Sequence, residues 1–344
     1  MRKSALVSII IPTYGGNIKL KRAIESALEQ TYENIEIIVV DDNPPDSCER
    51  KRTENLMGMF KEKKNIHYIK HIENLNGAAA RNTGIMNSKG EYITFLDDDD
   101  YFFPNRVEAS VLALSKNPQT DIVFGDVIIT GKNRIVTRLK VSVPEDVKKC
   151  IWNRSFSWGS GSNLFFSRKS IQKIGMFDIK FNRLQDVEYM LRFFEVFQAV
   201  SVSEVFIVKD SDGHNVPQYT KLKEMVELLE SKFSHQLSRM NMEERKNAKL
   251  AYEKICIKAA IMNGTEADMY SEYETLAQLD NSAAEYKTKI KNYKLIRAKV
   301  FVFSKVRNFY VAKYLLSMQG ECKARKILNS KEIKYIHSRY VWEE

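Results

Sequence analysis

The chain has 344 residues, of which 44% are hydrophobic and 28% charged, and it carries a formal net charge of +10. This length exceeds the usual size of one domain, so we expect a larger domain followed by a smaller unit. Four scattered cysteines without a CxxC pair exclude a zinc or disulfide framework, and no apolar run approaches the roughly 20 residues that span a bilayer. The apolar segment near the N-terminus is too short for a signal peptide, which predicts a cytoplasmic protein.

Strand and helix signals alternate along the first third of the chain. Runs rich in β-branched residues predict strands at 7–11, where Pro12 is expected to end the strand, and at 35–40, 66–69, 92–96 and 122–124. Helical spacing of apolar residues predicts helices at 18–30, 49–63, 78–87 and 106–115. This alternation predicts an α/β fold, with a mixed, mostly parallel sheet flanked by crossover helices.

Four consecutive aspartates, Asp97 to Asp100, follow the predicted strand at 92–96. Alternate side chains on a strand point the same way, so Asp97 and Asp99 are expected to converge on one hard cation, which would hold a diphosphate. A solvated acidic turn is the alternative interpretation, but adjacent carboxylates repel one another unless a cation or hydrogen-bond donors compensate them.

A second acidic residue, Asp41, ends the strand predicted at 35–40. Ligands of open α/β sheets bind beyond the carboxyl ends of the strands, so both acidic ends should line one crevice. The chain has neither GxGxxG after its first strand nor GxxxxGK[ST], so a nucleotide must be held by another device.

Four segments, in this order and spacing, resemble family-2 glycosyltransferases: VSIIIPTY at 7–14, VVDD at 39–42, GAAARNTG at 77–84 and GEYITFLDDDD at 90–100. The resemblance covers about the first two thirds of the chain and implies an inverting enzyme with the GT-A fold. One departure is the turn after the second strand, which is Asn43-Pro44-Pro45-Asp46 instead of a small Gly-Ser-type turn. It affects the expected turn geometry and leaves the position of Asp41 unchanged.

The resemblance implies a set of donor-binding residues. Pro12, Thr13 and Tyr14 would line the base pocket, and Asp41 would accept a hydrogen bond from uracil. Arg81 would reach the base or the diphosphate, although a surface ion pair is the alternative for this residue. Within the aspartate run the resemblance assigns two donor-binding residues, Asp97 on the ribose side and Asp98. It makes Asp99 the principal ligand, with Asp97, of Mn²⁺ or Mg²⁺.

The resemblance also implies a catalytic base. Apolar residues after Gln185 fall on one helical face, which places Asp186 at a helix start. An inverting displacement needs a carboxylate that takes the proton of the acceptor hydroxyl, and Asp186 is assigned this role. A helix N-cap is its alternative role, and Glu188 is the reserve candidate.

Two further residues each have a functional and a structural interpretation, and the two are equally expected. Trp158 could stack on an acceptor sugar, but a buried tryptophan of the core is equally expected. His214 resembles a loop histidine near the donor phosphates, where it could ligate the ion, but a lone loop histidine is as often solvent-exposed.

From about residue 220 the pattern becomes all-helical, which predicts domains at 1–219 and 220–344. Residues 281–344 contain 15 Lys or Arg against 5 Asp or Glu, and basic residues alternate with apolar ones between 293 and 316. Such helices suit an anionic membrane surface, at the inner face of the cytoplasmic membrane. A bundle that packs on itself or forms a homodimer is the alternative. Nucleic-acid binding is not expected, because the aspartates would repel phosphates.

Two functional classes follow from these residues and the resemblance. The first is a glycosyltransferase that moves a sugar from a UDP-linked donor to a saccharide or lipid-linked acceptor in cell-surface polysaccharide synthesis, such as capsule. The second is a non-catalytic protein that binds nucleotide or glycan as an assembly factor. A nucleotidyltransferase would be expected to open with a basic, Gly-rich phosphate loop, which residues 13–17 do not provide.

Overall fold

The computed structural model describes residues 4–16, 19–131, 134–210, 217–280 and 283–297, together with Lys331, Glu332 and Tyr335. The chain divides into two compact units. The α/β unit comprises Met1–Val143, Trp158–Asp212 and Gly320–Glu344, and the helical unit comprises Pro144–Ser157 and Gly213–Gln319. The domain boundary that the sequence places after residue 219 stays a prediction.

The α/β unit is built on one mixed sheet. Its described strands are β1 (Val7–Thr13), β2 (Ile35–Asp41), β3 (Ile66–Lys70), β4 (Tyr92–Phe95), β5 (Tyr101–Phe102), β6 (Thr120–Gly131), β7 (Arg134–Leu139), β8 (Phe165–Ser167) and β9 (Gln198–Asp210). Their order is β3-β2-β1-β4-β8-β6-β9-β5, and β7 pairs with β6. The predicted α/β fold with a parallel sheet is confirmed for the first half of this order, where β3, β2, β1 and β4 are all parallel.

Beyond β4 the strand directions change. The strand β8 is antiparallel to both β4 and β6, whereas β6 and β9 run parallel to each other. The short strand β5 pairs antiparallel with β9 and forms the far edge of the sheet. The end of β4 at Phe95 and the start of β5 at Tyr101 are separated by five residues, Leu96 and the four aspartates.

The strand β1 continues through Pro12, so the prediction that Pro12 ends it was wrong. Pro12 is paired with Val40 in the parallel register, whereas the pairing of β1 with β4 stops at Ile10. Thr13 bonds toward β2, since its carbonyl accepts the amide of Asp42 at 2.9 Å. The backbone of Pro12 consequently faces the β4 side beyond the paired residues, where the missing N–H costs no ladder bond.

Three of the four helices predicted with bounds agree with the structure to within two residues, whereas the helix predicted at 49–63 ends five residues early, at Gly58. The described helices are α1 (Leu20–Leu28), α2 (Cys48–Gly58), α3 (Gly77–Asn87), α4 (Arg106–Lys116), α5 (Val147–Trp152), α6 (Arg168–Ile174), α7 (Gln185–Phe193), α8 (Tyr219–Lys232), α9 (Ser234–Arg239), α10 (Met242–Asn263), α11 (Glu266–Leu279) and α12 (Ala284–Lys291). Helix α3 approaches β1 closely, because a Cβ on Gly84 would lie 2.3 Å from Cγ2 of Ile10. A glycine at this position therefore sets the distance between α3 and the sheet.

The helical unit contains α5 and the helices from α8 to α12. The starts of α10 and α11 are fixed by capping boxes, Asn241 with Glu244 and Thr265 with Asp268. No helix in the described part of the chain combines the length and apolar composition needed to cross a bilayer. Most of the basic, aromatic-rich segment at 293–316, for which the sequence predicts membrane-surface binding, lies outside the described residues.

Candidate functional site

The four aspartates form a turn between β4 and β5, which we call the acidic turn, Asp97 to Asp100. The amide of Asp100 donates to the carbonyl of Asp97 at 3.0 Å. Three of the four carboxylates have specific partners in the protein. Oδ1 of Asp97 accepts Nη2 of Arg81 at 2.5 Å, and Oδ2 of Asp98 accepts the hydroxyl of Thr13 at 2.6 Å.

Asp100 is the buried member of the acidic turn. Its Oδ2 accepts the hydroxyls of Ser160 at 2.9 Å and Ser162 at 2.7 Å. Burial, and next the charge of Asp97, raises the pKa of the Asp100 carboxyl to about 7. Asp100 therefore anchors the turn to the loop at 160–163, and the hydroxyl of Ser162 also accepts the amide of Asp97 at 3.0 Å.

Asp99 differs from its neighbours, since within the described residues its carboxylate has neither a hydrogen bond nor an ion pair. Burial, and then repulsion from the other three aspartates, raises its pKa to about 8. Only its backbone carbonyl is held, by Nη2 of Arg22 at 2.9 Å. A carboxylate kept partly buried among like charges favours a cation as its missing partner.

The carboxylates of Asp97 and Asp99 are too few to hold a divalent cation alone, so a bound ligand must supply further oxygen atoms. Among the described residues no group of three or more His, Cys, Asp or Glu side chains is arranged to hold a metal. Asp99 and the second oxygen of Asp97 supply hard oxygen donors, and Mg²⁺ typically takes one or two carboxylates together with substrate phosphates. His214, the third predicted ligand, lies outside the described residues.

Arg81 joins the acidic turn to the first turn of α3. Its Nη1 donates to the carbonyl of Gly77 at 3.2 Å, and its side chain is only 10% exposed. The helix start is fixed by Asn76, whose side chain accepts the amides of Ala78 and Ala79. Arg81 does form an ion pair, as the alternative interpretation predicted, but this pair does not lie on the surface. It is largely buried, and the first turn of α3 holds it in place.

Two glycines leave room around Arg81. A Cβ on Gly161 would lie 3.2 Å from Nη2 of Arg81, and a Cβ on Gly77 would lie 3.2 Å from its Nη1 and 3.3 Å from Nε2 of Gln185. The contact with Gln185 matters because this residue begins α7 and directly precedes Asp186. The structure thus brings the acidic turn, Arg81 and the start of α7 together at the same edge of the sheet.

Asp186 lies in the first turn of α7, as the sequence predicted. The N-cap position is occupied by Leu184, whose φ of 57° is left-handed, so the N-cap alternative for Asp186 was wrong. Within the described residues the carboxylate of Asp186 accepts the neighbouring amide of Val187, at 3.0 Å. Glu188, the reserve candidate, is fully buried and paired with Arg192 at 2.6 Å, which makes it unsuitable as a base.

Asp41 ends β2 and is completely buried. Its Oδ1 accepts both the amide and the side-chain nitrogen of Asn43, at 2.9 and 2.7 Å, and its Oδ2 accepts the hydroxyl of Tyr68 at 2.5 Å. Nε of Arg50 lies 3.1 Å from the same Oδ2. Binding of a uracil ring to Asp41, which stays a prediction, would therefore require one of these partners to move.

The three residues of the predicted base pocket differ in exposure. Thr13 is buried and Pro12 half-buried, whereas Tyr14 is 60% exposed and its amide lies 3.4 Å from Oδ2 of Asp98. The adjoining Gly15 has a φ of 84° and donates its amide to Oδ1 of Asn43 at 2.7 Å. Asp98 therefore fixes the end of β1, and the exposed ring of Tyr14 is the part of this segment that a ligand can contact.

Trp158 is 6% exposed, and its carbonyl accepts the side-chain amide of Asn163 at 2.9 Å. This burial favours the packing alternative that the sequence left open for Trp158. Stacking on an acceptor sugar stays a prediction.

The sequence did not predict the buried residues that hold the acidic turn through β4 and the loop at 160–163. Arg106 is completely buried, and burial lowers the pKa of its guanidinium to about 9. Its Nη2 donates to the hydroxyl of Thr94 and to the carbonyl of Ser162, and its guanidinium lies 4.6 Å from the ring centre of Phe102. A charged residue at a helix start looks solvent-exposed in a sequence, so only the tertiary structure identifies Arg106.

The sequence also did not predict an ion-pair cluster at the end of β9, next to the acidic turn. Asp210, the last residue of β9, accepts Nη2 of Arg22 at 2.8 Å and Nζ of Lys19 at 3.3 Å. Its amide lies 3.3 Å from Oδ1 of Asp100. The Gln-Asp sequence at 185–186 and the acidic run were visible signals, but no sequence signal linked residue 210 to residues 19 and 22.

Residues 8–175 match the family model described as glycosyl transferase family 2. The match covers 168 of 344 residues, just under half of the chain, and agrees with the family that the motifs predicted. An uncharacterized glycosyltransferase of Rickettsia felis is 34% identical over 247 residues, which cover 69% of this chain and 39% of that protein. The uncharacterized glycosyltransferase RP339 of Rickettsia prowazekii is 34% identical over 209 residues, covering 59% of this chain and 63% of that protein.

Two further similarities are more limited. The glycosyltransferase GlyG of Streptococcus pneumoniae is 37% identical over 124 residues, covering 36% of this chain and 39% of that protein. The chain therefore spans less than two thirds of each of these three relatives. The crystal structure of TarS from S. aureus superposes with a TM-score of 0.50 at 13% identity, covering 84% of this chain and 53% of that chain, which shows a shared fold. The predicted GT-A fold is confirmed.

Proposed function

We propose that this protein is an inverting, divalent-cation-dependent glycosyltransferase that moves a sugar from a nucleotide donor to a saccharide or lipid-linked acceptor. The observation that carries the proposal is the open carboxylate of Asp99 beside the Arg81–Asp97 pair, at the same sheet edge as Asp186. The match of residues 8–175 to the family-2 model supports the reaction class. UDP is the proposed nucleotide, on the basis of the motif resemblance.

The donor diphosphate would bind at the acidic turn. Arg81 presents a planar guanidinium whose position is fixed by Gly77 and Asp97, and such a group suits phosphate oxygens. Asp97 and Asp99 are the residues that would hold Mn²⁺ or Mg²⁺. When bound, the cation would neutralise the charge that develops on the departing diphosphate.

Asp186 is the proposed general base. In the displacement the acceptor hydroxyl transfers its proton to the carboxylate of Asp186 while its oxygen forms a bond to the anomeric carbon. The bond between that carbon and the diphosphate breaks, and the nucleoside diphosphate leaves with both electrons. Asp186 suits this role because its carboxylate is partly exposed and has no cationic partner in the described residues, whereas Glu188 is neutralised by Arg192.

The base pocket would be formed by Pro12, Thr13 and Tyr14 with Asp41 below them. For Asp41 to accept the uracil N–H, the hydroxyl of Tyr68 is the partner that could turn away, since Asn43 holds the other oxygen twice. A Tyr68→Phe variant should therefore bind UDP at least as tightly as the wild type.

The acceptor side is inferred from the motif resemblance and from composition. A saccharide or lipid-linked acceptor, a place in cell-surface polysaccharide synthesis and a peripheral position at the cytoplasmic face of the membrane are inferred from the motif resemblance and from the basic composition of residues 281–344. Homodimerisation through the helical unit is proposed on the same basis.

Calorimetric titration of the purified protein with nucleoside diphosphates tests the proposal, with Mn²⁺, with Mg²⁺ and with a chelator. UDP-selective binding that disappears with the chelator and in an Asp99→Asn variant is expected, followed by release of UDP from one of a panel of UDP-sugars. If the folded wild-type protein binds nucleotide but never transfers sugar to any acceptor, the non-catalytic assembly factor becomes the better description. Absence of all nucleotide binding would contradict both the donor site and the metal site.

A further inference from the structure

The strand β5 is buried, but one of its sides has no neighbouring strand among the described residues and needs other hydrogen-bond partners. Within the described sheet it pairs with β9 alone, through Tyr101 with Val208 and Phe102 with Ile207, and it forms the edge of the sheet. The amide of Phe103 donates to the carbonyl of Phe206 at 2.9 Å, and antiparallel pairing alternates between bonded and non-bonded residues. The N–H and C=O of Phe102 therefore point away from β9.

Both outward groups of Phe102 are satisfied by residues far away in the sequence. The N–H donates to the hydroxyl of Ser26 at 3.1 Å, and the carbonyl accepts the hydroxyl of Tyr335 at 2.7 Å. Burial raises the pKa of the Tyr335 hydroxyl, which keeps it a donor at neutral pH. The strand β5 directly follows the acidic turn, and the side of β5 that faces away from β9 is thus hydrogen-bonded by Tyr335.

Tyr335 also packs on the neighbouring aromatic residues. Its ring centre lies 4.9 Å from that of Phe103 and 6.3 Å from that of Tyr101. Close by in the sequence, Glu332 lies 3.5 Å from Nη1 of Arg138, which is itself paired with Asp126 of β6 at 2.9 Å. The contact therefore combines one hydrogen bond, aromatic packing and an ion pair, all within the α/β unit.

We propose that Tyr335 is a positioning residue for the acidic turn, which it holds in place through the backbone of β5. This inference rests on the proposed function, because it assigns a role in donor and metal binding. Tyr335 lies 160 residues beyond the end of the matched family domain, so nothing in that domain assigns it such a role.

The connection from Tyr335 to the metal ligands is short. Tyr101 follows Asp100 directly, and the ring of Tyr101 lies 4.6 Å from the guanidinium of Arg22, which holds the carbonyl of Asp99. Without the Tyr335 hydroxyl the carbonyl of Phe102 would lose this hydrogen bond, whereas the bonds of β5 to β9 and Ser26 would stay. The carboxylates of Asp99 and Asp100 would then sample a wider range of positions, which lowers affinity for a ligand that needs both Asp97 and Asp99.

Two substitutions separate the hydroxyl from the ring. Tyr335→Phe removes only the hydrogen bond, and Tyr335→Ala removes the aromatic packing as well. Tyr270→Phe is the matched control, since Tyr270 is 53% exposed on α11 of the helical unit. Each variant is compared with the wild type by amide hydrogen exchange of residues 99–103 and by titration with UDP in the presence of Mn²⁺.

For Tyr335→Phe we expect faster exchange at residues 99–103 and Mn²⁺-dependent UDP binding weaker by about three- to tenfold, the range of one lost hydrogen bond. Tyr335→Ala should show larger changes in both, and Tyr270→Phe neither. In transfer assays the KM for the donor should rise more than kcat falls, because the base on α7 is not disturbed.

Three results would overturn the inference or separate it from the proposed function. Unchanged exchange in both Tyr335 variants would show that Tyr335 does not hold β5. Faster exchange with unchanged UDP affinity would show that the contact stabilises the sheet without positioning the turn. If the wild type binds no UDP, the proposed function fails, and hydrogen exchange alone decides whether Tyr335 holds the turn.

Discussion

Carboxylates that are wholly or partly buried occur in both units of the molecule, with different partners. In the α/β unit, the carboxylate of Asp99 forms no ion pair within the described residues, and burial and the neighbouring aspartates raise its pKa to about 8 against the smaller, opposite effect of the Lys19 charge. Asp186 accepts only the amide of the next residue among its described contacts. Both carboxylates lie at the edge of the sheet where the guanidinium of Arg81 also lies. Because neither forms an ion pair within the described residues, we call them the open carboxylates.

In the helical unit, Glu253 and Glu272 are 5% and 2% exposed and share one cation. Nζ of Lys223 lies 3.2 Å from Glu253 and 3.0 Å from Glu272, and the hydroxyl of Tyr219 donates to Glu272 at 2.8 Å. Burial, and next its hydrogen bond and charge interaction with Glu272, raises the pKa of Glu253 to about 7. We call this pair the closed carboxylates.

The difference suggests how to separate function from stability in this chain. A carboxylate whose partner lies within the protein contributes to the free energy of unfolding, whereas one without a partner is available for a ligand. Replacing an open carboxylate should therefore lower activity with little loss of stability. Replacing a closed one should change stability and leave activity unaltered.

The largest effect is expected for Asp186→Asn. Loss of the general base should lower kcat by about 10²- to 10⁴-fold, while the affinity for the nucleotide donor and the melting temperature stay close to the wild-type values. Steady-state kinetics and calorimetric titration measure the two quantities. Asp46→Asn, which changes an exposed aspartate of the same unit, is the control. Equal losses of donor binding and transfer would contradict the role of Asp186 as base.

Asp99→Asn should remove metal binding and stabilise the metal-free protein. We expect Mn²⁺ affinity in the presence of UDP to fall by at least about 100-fold, which electron paramagnetic resonance can measure. Because the folded-state pKa is raised, the folded protein binds this proton more tightly than the unfolded chain, and stability falls as pH rises from about 4 to about 8. The variant lacks this loss, so its Tm at pH 9 should exceed that of the metal-free wild type by about 2 °C.

The opposite outcome for Asp99 is also informative. If the Asn variant keeps its Mn²⁺ affinity, the cation is not bound at the acidic turn. If its Tm at pH 9 is lower than that of the metal-free wild type, the ionised carboxylate of Asp99 stabilises the fold, which contradicts its raised pKa.

Gly77→Ala tests whether the position of Arg81 matters. The added Cβ would lie 3.2 Å from Arg81 and 3.3 Å from Gln185, so one of them must shift. We expect donor affinity to fall by about tenfold, a size typical of a displaced charged hydrogen bond. Gly58→Ala is the matched control, because it also lies in a helix and a Cβ there meets nothing within 4 Å. Unchanged donor binding by Gly77→Ala would argue against a role for Arg81 in the donor site.

The smallest effect is expected for the closed pair, with Glu253→Gln. The raised pKa of Glu253 means that the wild type loses stability as pH rises from about 4.5 to about 7, and the variant lacks this loss. Its Tm should exceed that of the wild type by about 2 °C at pH 8 and match it at pH 5, with unaltered transfer activity. Glu274→Gln, an exposed neighbour on α11, is the control. A loss of activity at unchanged Tm would show that the closed pair serves the reaction.

The sequence predicted the parallel half of the sheet to within a few residues, because its strands are continuous β-branched runs between polar turns. It missed β5 and β7, and it placed the end of β1 two residues early. A two-residue strand such as β5 leaves no periodicity to detect, and the position of Pro12 depends on where β4 stops pairing, which is a tertiary property.

Within the site, the acidic turn, Arg81 and the helix start at Asp186 could be located from motifs. The partners that decide which carboxylate stays open could not. Arg50 and Tyr68 neutralise Asp41, and Ser160 and Ser162 hold Asp100, all across sequence separations that carry no local pattern. Burial of Arg106 and the contact of Tyr335 with β5 were equally invisible, since both residues look solvent-exposed when only their neighbours in the sequence are considered.

The position of β9 between β6 and β5 has a consequence for how the chain can be divided. Both β6 and β5 lie inside the matched family domain at 8–175, but the strand that joins them lies outside it, at Gln198–Asp210. A fragment that stops at residue 175 would expose the long parallel edge of β6 and leave β5 with no strand beside it. The match to the family model thus ends before the sheet is complete, and a fragment cut there should aggregate instead of forming a smaller enzyme.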